Sequence, residues 1–291
     1  MEISRVVRAI SPEQLREFMD GREEGTYSLV DVRQPEEYRR EHLPGALLIP
    51  VPELETRLHE LPAGQDVVFY CRSGARSSAA ALIAQDSGVI RGSIFNLEGG
   101  ITAWDGGSIG SMPRVEVFAG IRTAGDLLMK ALEMEKAAYI LYATVRASTD
   151  RDMICELMDT LIGVEEAHAR VVYKYLAQYW TDGSGELPAF EQLFEMLNGR
   201  ILEGGLCVDE LQPWIRGALA GECMELADLA LEVELNAYDL YRTLARHAAG
   251  TGGAYGFGAD AELIFLNLAS QEKHHARLIM SKVAAFGATA A

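Results

Sequence analysis

The stretch Glu165-Glu166-Ala167-His168 constrains this chain more than any other, because its pattern returns as Glu272-Lys273-His274-His275. Each is a Glu-x-x-His unit inside a long run of helical periodicity. Residues i and i+3 of a helix lie about 60° apart around the axis and about 4.5 Å apart along it. One carboxylate and one imidazole can therefore reach the same point. Upstream of each unit, a further helical stretch carries a glutamate in matching text. Ala131-Leu132-Glu133-Met134-Glu135 parallels Ala230-Leu231-Glu232-Val233-Glu234, and the likeness runs on to Tyr142 and Tyr241. The pattern is thus duplicated, which implies a pseudo-twofold between two halves.

Four carboxylates and two imidazoles in one interior are very costly unless cations lie among them. Glu135 and Glu234 are the single glutamates, Glu165 and Glu272 the partners of the histidines, and His168 and His275 the imidazole ligands. The set predicts two metal ions in a four-helix bundle. Each would take one terminal glutamate and one histidine, with the remaining two carboxylates bridging. Iron is expected at such an oxygen-rich site, with manganese or zinc as alternatives. Long helical patterns cover residues 124–149, 152–180, 213–248 and 259–286, and a shorter helix is expected over 188–201. Short, long and short connections, the last over 250–258, give two helical hairpins joined by a crossover. Glu133 and Glu232 lie about 200° from the glutamate stripe and should face elsewhere. Tyr142 and Tyr241 return to the inward face, as core or as donors to the glutamates. His274 and Glu166 fall off the stripe. His247 suits a helix C-terminus.

The length of 291 residues suits about two domains. A formal charge of −17 argues against nucleic acid and against anionic membrane as partners. No apolar run approaches the ~20 residues that span a bilayer. Residues 1–10 lack an apolar signal core, so a cytoplasmic protein is expected. Cys71, Cys155, Cys207 and Cys223 stand far apart with no C-x-x-C pair, which gives neither a thiolate metal site nor a disulfide framework. The last three read as buried or incidental thiols.

Residues 1–112 alternate strand and helix patterns, implying an α/β domain with a largely parallel sheet. Ser11-Pro12-Glu13 starts a helix, and strands are expected over 27–32, 45–50, 66–71 and 94–97. Helices are expected over 52–61, 77–87 and from 101. The junction Cys71-Arg72-Ser73-Gly74-Ala75-Arg76 sits between a strand end and a helix start. Loop amides and the helix dipole favour an anion there, and Arg72 and Arg76 add positive charge. Together these should lower the Cys71 thiol pKa and make it a nucleophile. Asp31 and Arg33 are expected to hold the fold, and His42 to bond backbone before Pro44. Residues 106–113 are rich in Gly and Ser and end in Pro, marking a boundary, with 113–123 as linker and 124–291 as the second domain.

Residues 1 to about 108 resemble a single-domain rhodanese, a thiosulfate or persulfide sulfurtransferase. The resemblance rests on Leu29-Val30-Asp31-Val32-Arg33 with Glu36-Glu37-Tyr38, and on His42-Leu43-Pro44-Gly45-Ala46. It continues through Tyr70-Cys71-Arg72-Ser73-Gly74-Ala75-Arg76-Ser77 and Asn96-Leu97-Glu98-Gly99-Gly100-Ile101-Thr102-Ala103-Trp104. It implies that Cys71 becomes a persulfide. The amides of Arg72, Ser73, Gly74, Ala75 and Arg76 would then hold the outer sulfur, and Arg72 or Arg76 would steer an anionic donor. The six-residue loop is one shorter than in related phosphatases, which favours sulfur over phosphate. The helix motifs of the second domain resemble the rubrerythrin branch of the ferritin-like superfamily. The chain departs from that branch in lacking its four-cysteine iron module. Ala237 also stands where rubrerythrins carry a second inward glutamate.

The reading is a sulfurtransferase joined to a non-haem di-iron centre that reacts with peroxide or oxygen. The expected partners are a small sulfur donor (thiosulfate or a persulfide), a thiophilic acceptor and a second copy in a homodimer. Sulfane sulfur or its electrons would pass to the metals. The competing reading is an iron-binding, storage or oligomerisation bundle attached to a sulfur-carrier rhodanese.

Overall fold

A computed structural model of the chain describes residues 6–180, 185–202, 204–220, 223–249 and 260–289. The chain divides into two compact units, Met1–Met112 and Pro113–Ala291. Among the described residues, no helix is long and apolar enough to cross a membrane.

The first unit is an α/β domain. Its elements are β1 (Arg8–Ile10), α1 (Pro12–Asp20), β2 (Tyr27–Asp31), α2 (Pro35–Arg40), β3 (Ala46–Leu48), α3 (Leu54–Arg57), β4 (Asp66–Tyr70), α4 (Ala75–Ser87), β5 (Ile94–Leu97) and α5 (Gly100–Ala103). The strands form one parallel sheet in the order β1-β5-β4-β2-β3. β4 is central because its residues are apolar on both faces. Val67 and Phe69 pack with Ala80, Ala81 and Ala84 of α4 on one side. Val68 and Tyr70 pack with Leu15, Leu29 and Leu97 on the other. Ser11 caps α1, accepting from the Gln14 amide at 3.2 Å, while the Gln14 side chain returns to the Ser11 amide at 3.0 Å. Two elements were not expected. β1 is a three-residue edge strand, too short to show alternation. α2 is one polar helix of six residues, closed by a capping box between Gln34 and Glu37.

Asp31 and Arg33 do hold the fold. The Arg33 guanidinium donates to Asp31 Oδ2 at 2.6 Å and to the Glu41 carbonyl at 2.5 Å, and both side chains are buried. His42 bonds backbone as expected, through Nδ1 to the Tyr38 carbonyl at 3.0 Å.

The second unit is helical. It contains α6 (Ala124–Ala147), α7 (Asp152–Tyr179), α8 (Phe190–Met196), α9 (Val208–Ala220), α10 (Cys223–Ala249) and α11 (Ala261–Thr289). α6 packs along α7, α10 packs along α11, and α7 also touches α10 and α11. The pattern expected as one helix over 213–248 falls on α9 and α10, and residues 221–222 between them lie outside the described residues. The connection expected over 250–258, and the side chain of Cys223, also lie outside the described residues.

Two apolar clusters fill this unit, and each long helix passes from one to the other at its ligand residues. On α6 Leu127 to Leu132 belong to one cluster and Ala138 to Val145 to the other. On α10 Leu226 to Val233 belong to the second and Tyr238 to Leu244 to the first. α7 and α11 change over between Leu161 and Ala169 and between Ala269 and Ile279. A polar layer therefore divides the core.

Residues 113–123, bounded in sequence as a linker whose 114–123 part could equally be a strand or a docking segment, fall in this unit. Val115–Phe118 forms a turn of 3-10 helix. Phe118 is fully buried, edge-on to Phe265 at 5.6 Å and to Tyr241 at 6.4 Å between ring centroids. Phe118→Ala should therefore destabilise the helical unit by about 3–5 kcal/mol. Thermal unfolding followed by calorimetry should show the loss in that unit's transition, whereas a free linker residue would leave it unmoved.

Candidate functional sites

The first site stands at the carboxyl end of the central strand. Cys71 follows β4 directly, and Gly74 caps the N-terminus of α4. The Cys71 side chain is buried at the base of the loop. The Gly74 amide donates to Cys71 Sγ at 3.1 Å, and Ser77 Oγ lies 3.4 Å from the same sulfur. Ser77 is on the first turn of α4, where side chains tilt back toward the helix start. The loop is pinned from behind by α5. The Ile101 amide bonds the Cys71 carbonyl at 2.8 Å, and the Thr102 amide and hydroxyl bond the Arg72 carbonyl at 3.1 and 2.8 Å. With those carbonyls held away, the amides of the loop turn toward the sulfur. Two glycines make this possible. Gly74 has φ +95°, which a side chain rarely adopts. At Gly100 a Cβ would stand 2.3 Å from the Cys71 carbonyl oxygen.

Burial pushes the Cys71 thiol up, but hydrogen bonds outweigh it and the pKa falls below the ordinary thiol value. The donors are the Ser77 hydroxyl, then the amides of Ser77, Ser73 and Gly74. The loop amides act as expected, joined by the Ser77 hydroxyl. Arg76 turns to Glu37, its Nη1 and Nη2 donating to the two carboxylate oxygens at 2.7 and 2.8 Å. It contributes to the Cys71 sulfur only secondarily. Arg72 is exposed at the loop. Ser77, Gly100, Thr102 and Glu37 were not singled out from sequence as site residues. Only the distance of Ser77 from Cys71, one turn into the helix, offered a signal.

The second site lies in the polar layer of the helical unit. Glu135 (α6), Glu165 and His168 (α7), Glu234 (α10), and Glu272 and His275 (α11) converge, each at most 4% exposed. Their ligand atoms form three overlapping groups: Glu165-His168-His275, Glu135-His168-Glu272 and Glu234-Glu272-His275, each within 4.8 Å. His168 Nδ1 is 2.9 Å from Glu135, and His275 Nδ1 is 3.1 Å from Glu234. Glu272 lies between the imidazoles, Oε1 at 3.4 Å from His168 and Oε2 at 3.4 Å from His275. Glu165 Oε1 is 3.6 Å from His275. The Tyr142 hydroxyl donates to Glu234 across the unit.

Burial holds His168 well below the usual imidazole range, and the neighbouring His275 adds to the effect. Burial acts the same way on His275, but Glu272 and Glu234 together prevail and hold it up at about 12. The other expectations separate cleanly. Glu232 and His274 are exposed, and Glu133 and Glu166 are half-buried, Glu166 paired with Arg170 at 2.8 Å. Tyr241 is fully buried in the apolar cluster. Ala138 and Ala237 stand at matching positions one turn beyond Glu135 and Glu234, both fully buried.

Known proteins resemble the first unit. A family model described as Rhodanese-like domain matches residues 11–106. The chain is 45% identical over 76 residues to a sulfurtransferase of Allochromatium vinosum, covering 26% of this chain and 69% of that one. It is 32% identical over 100 residues to the putative sulfurtransferase YtwF of Bacillus subtilis, covering 34% of this chain and 92% of that one. Of three other curated relatives the chain covers 38%, 50% and 60% of the length. A solved rhodanese-like domain protein of Staphylococcus aureus aligns at 25% identity with a TM-score of 0.33, over 36% of this chain and 99% of that one.

Alkylation of Cys71 reports the thiolate directly. Its rate should reach half its maximum at a pH below that of an ordinary thiol, near 8.5. Ser77→Ala removes the leading donor and should move that midpoint upward, measured by mass spectrometry of iodoacetamide labelling.

Proposed function

The chain belongs, through residues 11–106, to the rhodanese-like domain family, and on that basis we propose that it is a sulfurtransferase working through a Cys71 persulfide. The observation that carries this reading is the Gly74 amide on Cys71 Sγ at 3.1 Å, in a loop whose carbonyls are tied away. The Cys71 thiolate attacks the outer sulfur of thiosulfate or of a small persulfide. A new S–S bond forms to Cys71 and the donor's S–S bond breaks. Sulfite or a thiolate leaves with the electron pair. The loop amides and the start of α4 then stabilise the negative outer sulfur until a thiophilic acceptor takes it. No oxidant or reductant is consumed.

A second reading concerns the helical unit, which we read as a ferritin-like four-helix bundle holding two metal ions. Its support is the donor set. Carboxylate and imidazole suit iron or manganese, and Glu272 places one oxygen 3.4 Å from each imidazole. Glu135, Glu165, His168, Glu234, Glu272 and His275 would hold the ions. Redox-active ions held there would exchange electrons with peroxide or oxygen. The protein's own part is to hold the donors rigidly, keep bulk water out with two apolar layers, and orient Glu234 through Tyr142.

Two experiments test these readings separately. With thiosulfate and cyanide, the wild type should form thiocyanate and Cys71→Ser should form none above background; equal rates would remove the sulfur reading. Protein grown with ample iron should carry about two ions per chain by elemental analysis. Glu272→Ala should lose most of both, and an unchanged content would remove the metal reading.

A further inference from the structure

Glu37 has no part in the chemistry just described, yet it is built against the site. It stands on the first turn of α2, where its Oε2 accepts from the Gln34 amide at 3.2 Å. Its own helix therefore places it. Both of its oxygens then engage the Arg76 guanidinium, at 2.7 and 2.8 Å. This fork-to-fork pairing uses the face of the guanidinium that would otherwise grip a sulfonate with two bonds. The Arg76 contact holds the Glu37 carboxyl down at about 2, so the pair is charged at any working pH. Of the two loop arginines, Arg72 is exposed and Arg76 is engaged by its carboxylate.

We infer that Glu37 is a specificity-determining residue: by neutralising Arg76 at the mouth of the Cys71 loop, it disfavours dianionic sulfur donors and favours persulfides of low charge. This rests on the sulfur-transfer reading of Cys71. Thiosulfate brings two negative charges and releases sulfite, also doubly charged. A thiol persulfide brings one and releases a thiolate. A mouth with a single uncompensated cation separates the two classes by charge. Glu37 touches neither donor; it acts through Arg76 and is in that sense a positioning residue.

The test compares Glu37→Gln with Glu37→Asp and with the wild type, in the full chain. Persulfide loading of Cys71 is followed by intact mass, with thiosulfate and with cysteine persulfide as donors. Glu37→Gln should raise the thiosulfate-to-persulfide ratio of kcat/KM about fivefold, as expected for one half-exposed charge. The change should lie in KM for thiosulfate rather than in kcat. Glu37→Asp, which keeps the charge, should stay near the wild-type ratio. In an Arg76→Ala background, Glu37→Gln should add nothing. A second readout needs no sulfur transfer: the rate of Cys71 alkylation by anionic iodoacetate relative to neutral iodoacetamide. Thiolate content cancels in that ratio, and Glu37→Gln should raise it several-fold. An alkylation ratio within twofold of wild type overturns the inference. So does a parallel fall with both donors, which would make Glu37 merely structural. A wild type that takes sulfur from neither donor overturns the sulfur-transfer reading instead, and with it the donor assignment; the alkylation ratio then still decides whether Glu37 sets the charge at the loop.

Discussion

Four carboxylates and two imidazoles, all nearly inaccessible, lie in one layer across the helical core. Charges of one sign in a dry interior repel one another and lose hydration, and each loss amounts to several kcal/mol. The protein supplies part of the compensation itself. Glu272 and Glu234 raise the pKa of His275, and Tyr142 donates to Glu234. Four carboxylates gathered with two imidazoles in one dry layer are the physical ground for the proposed metal ions. It also accounts for the architecture around the layer. Each long helix must be apolar above and below its ligands, and each changes cluster where its glutamate stands.

The loop around Cys71 meets a smaller version of the same demand by other means. A single sulfur anion needs no ion beside it. Amides turned inward, one hydroxyl and the start of a helix suffice to lower the thiol pKa against the effect of burial. Neutral dipoles can do this because they carry little desolvation cost of their own. Arg76 is paired with the Glu37 carboxylate while it also interacts with the Cys71 sulfur.

The features legible in the sequence were those that repeat or alternate. The duplicated Glu-x-x-His units mark residues that the structure brings within reach of one another, because helical phase fixes which side chains share a face. The continuous apolar text of Asp66-Val67-Val68-Phe69-Tyr70 marks a central strand, because only such a strand is covered on both sides. What stayed hidden depends on contacts between distant segments. β1 exists through its pairing with β5, and Phe118 is core because Tyr241 and Phe265 surround it. Proximity in sequence also misled: Arg76 neighbours Cys71, yet its strongest bond is to Glu37 on another helix.

The paired hairpins, α6 with α7 and α10 with α11, carry one further implication. Each supplies a lone glutamate and a Glu-x-x-His unit, which is half of the six-residue cluster. A single hairpin of this kind would expose its acidic stripe and could complete the cluster only by meeting its own likeness about a two-fold axis. Fusing two copies in one polypeptide makes that meeting intramolecular, so assembly no longer depends on concentration. The halves are not identical, as Tyr139-Ile140 against Tyr238-Asp239 shows, yet each brings the same three donors, so one polypeptide carries both sides of a two-fold arrangement.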